Sequence, residues 1–153
     1  MFTELLDRSG KQDFWMSNRI SSLEEEIVSG HPTVLLTSGD SMEPLLYNRD
    51  TRVVVINRKN LVKNDLPVYK RPTGQLVLHR IIKVDEKFFY TRGDNRCGLE
   101  AVPKEWVLGM VIEIYRKNRH FSVTNRRYKL YVHGWNIIYP LRWVWYKLRA
   151  RIK

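Results

Sequence analysis

Between Thr33 and Tyr115 the chain alternates short runs of β-branched and aromatic residues with runs of turn formers, and this alternation limits the fold more than any other feature. The runs are TVLL (33–36), TRVVVI (51–56), LPVYK (66–70), QLVLHRIIKV (75–84), KFFYTR (87–92) and VLGMVIEIY (107–115). YNRD, RKNLVKND, RPTG, DE and GDNRCGLE separate them. Val, Ile, Tyr and Phe suit a pleated, half-buried surface, whereas Gly, Pro, Asn and Asp favour reversals. Short strands at this spacing predict a mostly β domain, either a barrel or packed sheets. A short helix is expected before them in SSLEEEIV. There Ser21 and Glu24 make a capping box, Ile20, Leu23 and Ile27 share one side, and Gly30 with His31-Pro32 ends the element.

A chain of 153 residues is long enough for one core without a disulfide or metal staple. Its single cysteine, Cys97, suits a reducing, cytoplasmic setting. The first thirty residues hold no apolar run long enough for a secretory signal or a membrane span. The net charge of +11 is concentrated at one end: residues 116–153 carry eleven Lys and Arg and no Asp or Glu, while the preceding body is balanced. Three segments follow: a lead-in helix over 1–32, a β domain over 33–115, and a basic, aromatic segment over 116–153.

Within the β domain, SGDSMEP (38–44) follows the first strand and raises two readings. It is a turn punctuated by Ser, Gly, Asp and Pro, or it carries a nucleophilic serine, which needs a base elsewhere. His79 is the candidate base. In QLVLHRIIKV it alternates onto the same face as Val77 and Ile81, where an imidazole must find a polar partner. A core histidine satisfied by a carbonyl is the competing reading.

Taken together, SGDSMEP, LPVYK, VLHRIIKV and FFYTRGDN resemble, in order and spacing, the signal peptidase and LexA-like serine peptidase superfamily over roughly residues 33–115. That resemblance implies the LexA/signal-peptidase-like β fold with short helices at the N- and C-termini. It places the nucleophile on Ser41, which precedes Met42, and the general base on His79, as in the Ser-His branch. Asp40 before the nucleophile is a feature of the LexA-like branch, so the chain mixes the two. Two acids compete to orient His79: Asp94 in RGDN, and Glu100, which matches the position of an Asp in the Ser-His branch. Backbone amides near Ser41 are candidates for an oxyanion hole, with Thr37 or Ser38 as a hydroxyl donor. Thr37, Ser38 and Met42 are the residues expected nearest the substrate, and TVLLTS is the edge on which an extended peptide would add a strand.

Cys97 is expected to be a bystander. Relative to that family, the chain is expected to lack an N-terminal membrane anchor and the DNA-binding domain of LexA-like repressors. The expected activity is serine endopeptidase cleavage of an extended peptide or protein segment, in the cytoplasm or at the inner membrane surface. The alternative is a non-catalytic or self-processing LexA-like peptide-binding module. No cofactor or metal is implied, because His31, His79, His120 and His133 lack metal-ligand spacing.

In the last segment Ile137, Leu141, Val144, Trp145, Leu148 and Ile152 recur at helical spacing, with Arg142, Lys147, Arg149, Arg151 and Lys153 around them and Pro140 suited to the first turn. This basic amphipathic helix over 137–153 is expected to pack on the barrel, to dock on an anionic membrane surface, or, least in keeping with its pattern, to bind nucleic acid. Packing of the apolar stripe is the outcome the sequence slightly favours.

Overall fold

The computed structural model describes residues 22–151. The expected N-cap Ser21 and the stripe residue Ile152 lie outside the described residues.

The protein is mostly β, a curled half-barrel sheet with a smaller second sheet and three short helices. Helix α1 covers residues 22–28 and stops at Gly30, whose φ of +90° is the left-handed conformation glycine adopts freely. Nine strands follow: β1 (Thr33–Leu36), β2 (Thr51–Ile56), β3 (Pro67–Lys70), β4 (Leu76–Leu78), β5 (Arg80–Val84), β6 (Phe88–Arg92), β7 (Glu100–Pro103), β8 (Val107–Arg116) and β9 (Arg119–Ser122). Helices α2 (Arg126–Ile137) and α3 (Tyr139–Arg151) complete the chain. The larger sheet runs β1-β2-β8-β3-β4 with β9 on β8, and the smaller runs β5-β6-β7.

The expected fourth strand is interrupted at the residue that matters most. β4 ends at Leu78 in the larger sheet and β5 begins at Arg80 in the smaller, so the chain changes sheets at His79. The sheets enclose two cores. One gathers Ile27, Met42, Leu46, Val53, Val55 and Val111; the other gathers Tyr69, Val77, Ile81, Phe89 and Val102. A register shift between Val54 and Val55 against β8 lets both Val111 and Ile114, three apart, reach the first core.

Two strands and one helix were not expected from the sequence. β7 is EAVP, poor in strand formers; it survives at the edge of its sheet, paired with β6 alone, where Pro103 is tolerated. β9 is a polar RHFS run supported by β8. Helix α2 begins at Asn125, whose side chain accepts a hydrogen bond from the Arg127 amide. Its Gly134 and Asn136 weaken helical propensity. Tertiary contact compensates, because Tyr128 and Val132, four residues apart on one face, are buried in the first core.

The favoured expectation for the tail is thereby corrected. Packing onto the barrel is done by α2, and the stripe of α3 stays in solvent, with Leu141 75% and Trp145 64% exposed. Helix α3 is tied down at its start instead: the Tyr139 hydroxyl donates to the Cys97 carbonyl, and the Arg92 guanidinium lies over the Tyr139 ring. No helix among the described residues is long and apolar enough to cross a membrane.

Candidate active site

Ser41 reaches its position through a compact turn after β1. The Thr37 amide closes the strand by donating to the Thr51 carbonyl, and Gly39 turns the chain with φ +86°. Hydrogen bonds from Glu43 N to Asp40 O and from Leu46 N to Met42 O then coil the segment. Met42, Leu45 and Leu46 are drawn into the core while Ser41 is left partly exposed.

The loop at 93–96 braces this turn. Asn95 N donates to the Ser41 carbonyl at 2.8 Å, and Arg96 pairs with Asp40. Gly93 passes so close that a Cβ there would sit 2.5 Å from the Ser41 carbonyl oxygen. Only glycine permits the approach, which explains the first residue of the GDN stretch.

His79, at the junction of the sheets, points its ring at this turn. Nε2 lies 3.2 Å from Ser41 Oγ. On the other side of the ring, Nδ1 lies 3.3 Å from the Tyr69 hydroxyl and 3.8 Å from Glu100 Oε2. Tyr69 donates its proton to Glu100 Oε2 at 2.7 Å. Arg71 grips the same carboxylate with two bonds, Nε to Oε1 at 2.7 Å and Nη2 to Oε2 at 2.6 Å.

The direction of these bonds fixes the histidine tautomer. A phenol has one proton, and its hydrogen bond to Glu100 occupies it, so toward His79 the Tyr69 oxygen acts as an acceptor. Nδ1 must then carry the imidazole proton. Nε2 is left with its lone pair toward Ser41, which is the form a general base needs.

The electrostatics agree. Burial disfavours the imidazolium and holds the His79 pKa below its ordinary 6.5, against an opposing pull from Glu100, so the ring is a neutral base at neutral pH. Glu100 is held below the usual carboxylate range chiefly by its bonds to Arg71. Burial pushes the Tyr69 phenol upward, with Glu100 adding to the effect, and keeps it protonated.

The two acids therefore separate. Asp94 does not face His79: its carboxylate is buried and chelates Arg80, with Oδ1 2.8 Å from Nε and Oδ2 2.7 Å from Nη2. Arg80 also donates to the Tyr128 hydroxyl at 2.9 Å and to the Asn64 carbonyl, which joins the loop behind Ser41 to β5 and α2. Glu100 is the acid on the histidine side, acting through Tyr69.

The three residues expected near the substrate, Thr37, Ser38 and Met42, all line the groove, and of them Ser38 is exposed. Thr37 does not offer a free hydroxyl, since Oγ1 donates within reach of the Tyr47 and Thr51 carbonyls. Met42 is 4% exposed and belongs to the core. Among the described residues the amides of Ser41 and Met42 donate to no protein acceptor, while Gly39 N donates to Asn48 Oδ1. The Ser41 and Met42 amides flank the nucleophile position, which makes them candidate oxyanion donors.

Ser41 and His79 open onto a groove of about 1390 Å³. β1 and β4, the two ends of the larger sheet, line it from opposite sides together with Leu23 of α1.

Tyr69 and Arg71 were missed from sequence. Tyr69 lies in β3 and Arg71 just beyond its end, both meeting Glu100, and Tyr69 pairs with Val77, two residues before His79. That two-residue spacing was the available signal, and it becomes informative only once the β3-β4 hairpin is recognised. No protein-family model and no curated protein matches the chain.

Proposed function

We propose that this protein is a serine endopeptidase of signal-peptidase-like type, with Ser41 as nucleophile and His79 as general base. The observation that carries the reading is the pairing of Ser41 Oγ with the unprotonated Nε2 of a histidine whose other nitrogen is tied to Tyr69 and Glu100.

In the reaction this supports, Ser41 Oγ bonds to the scissile carbonyl carbon as its proton passes to His79 Nε2. The resulting oxyanion accepts from the amides of Ser41 and Met42. Collapse breaks the C–N bond, and the imidazolium gives its proton to the departing amine. Water, deprotonated by the same nitrogen, then releases the acyl chain and restores Ser41. Glu100 favours the transient imidazolium through the Tyr69 bridge and by its charge.

The groove supports an extended peptide as the substrate class. An extended peptide has two sheet edges, β1 and β4, to which its backbone can add, and the exposed Val34 and Leu36 of β1 offer apolar contact beside them. The lone cysteine supports a cytoplasmic setting. A mixture of unstructured peptides analysed by mass spectrometry tests the activity. Internal cleavage that Ser41→Ala abolishes is the expected result. Peptide binding without cleavage would make the protein a recognition module instead.

A further inference from the structure

The tail presents a surface that the peptidase reading does not use. On α2, Leu130 is 71% exposed, with Ile137 seven residues on and also in solvent. On α3, Leu141, Val144, Trp145 and Leu148 recur at three- and four-residue spacing along one face, all of them exposed. Large apolar side chains left in water along two successive helices mark a contact surface. The charge around them has one sign: residues 116–153 hold eleven Lys and Arg and no acid, and Arg126, Arg127 and Lys129 stand exposed on α2.

We propose that α2 and α3 form an interfacial docking surface for an anionic bilayer, with the apolar stripes entering the headgroup boundary and the basic residues meeting lipid phosphates. Helix α3 has 13 residues, about 20 Å at 1.5 Å per residue, too short for a hydrocarbon core of about 30 Å. It therefore lies in the surface plane, where tryptophans and basic side chains are favoured. The same charge argues against other occupants. A second copy on a twofold axis would set basic surfaces against each other, and nucleic acid would leave the apolar stripes without partners.

The docking surface is joined to the body at the loop behind Ser41. Trp135 Nε1 donates to the Asp94 carbonyl at 3.2 Å, Arg142 donates to the same carbonyl, and the Arg142 guanidinium lies over the Trp135 ring. A bilayer that holds the tail thus holds the nucleophile's loop beside it.

The test is flotation of the full-length Ser41→Ala protein with phosphatidylcholine vesicles, with and without phosphatidylglycerol, so that peptidase activity has no bearing on the outcome. Binding should require the anionic lipid and should weaken about tenfold or more as salt rises from about 0.1 to about 0.5 M. Leu141→Ser with Trp145→Ser leaves the charge unchanged and touches only exposed side chains. It should lower binding at least about tenfold without moving the melting temperature. Arg126→Gln with Arg127→Gln should lower binding by a similar factor. Absence of binding, or binding indifferent to the Leu141 and Trp145 changes, would overturn the proposal. So would a dimer that those same changes dissolve.

Discussion

Two arginine-carboxylate pairs, each with two hydrogen bonds, lie on either side of His79, and their surroundings give them opposite work. Arg80 and Asp94 are almost fully buried, and the carboxylate is consumed by the guanidinium and the hydroxyl of Tyr131. Arg71 and Glu100 are each about one third exposed, and Glu100 also accepts the Tyr69 proton that sets the histidine tautomer. Chemistry alone does not tell an acid that holds the fold from an acid that serves the site. Burial and the direction of the remaining hydrogen bond do. A buried pair broken on one side leaves a bare charge in a low dielectric, whereas a rim pair has water to replace it.

The largest effect should come from Asp94→Asn, which leaves the Arg80 charge uncompensated. Stability should fall by about 3–5 kcal/mol, measured by denaturant unfolding, and activity should fall with it. Glu100→Gln should divide the other way, costing at most about 1 kcal/mol of stability but lowering the proposed peptidase kcat/KM about 10²-fold in a folded protein. If Asp94→Asn were stable and inactive while Glu100→Gln stayed active, the two assignments would be exchanged.

Tyr69→Phe should lower kcat/KM about tenfold, because Nδ1 loses the acceptor that holds its proton and only the more distant carboxylate remains. The smallest effect is in pH. Wild-type kcat/KM should rise with pH as His79 loses its proton and level off, with an inflection below 6.5 because burial disfavours the imidazolium. Glu100 stabilises that imidazolium, so Glu100→Gln should move the inflection to lower pH as well as lowering the plateau. An inflection that moves upward in the variant would mean that Glu100 does not act on His79.

The pattern of β-branched runs located β1 and β2 because each buries alternate side chains on one face, a local and periodic signal, whereas β8 was located by its long apolar run, which feeds both cores. Ser41 and His79 were singled out through the resemblance carried by SGDSMEP and VLHRIIKV, since a serine in a turn and an imidazole on an apolar face each have an ordinary structural reading when taken alone. Asp94 and Glu100 were not separable, since their partners Arg80 and Arg71 lie 14 and 29 residues away, and only folding decides which arginine meets which acid. Tyr69 looked like one more aromatic strand residue. Its role depends on one hydrogen bond to Glu100 across 31 residues. Helix α2 escaped notice because Gly134 and Asn136 dilute its period, and its burial against the first core is a tertiary effect.

The most direct test of the account is to expose the protein to a peptidyl phosphonate directed at activated serines and to locate the adduct by mass spectrometry. The geometry predicts one covalent adduct, on Ser41, that forms faster as pH rises through the His79 titration and is lost in His79→Gln. A folded wild type that gains no adduct, or carries it on Ser38 or Cys97 instead, would contradict the assignment of Ser41 as an activated nucleophile.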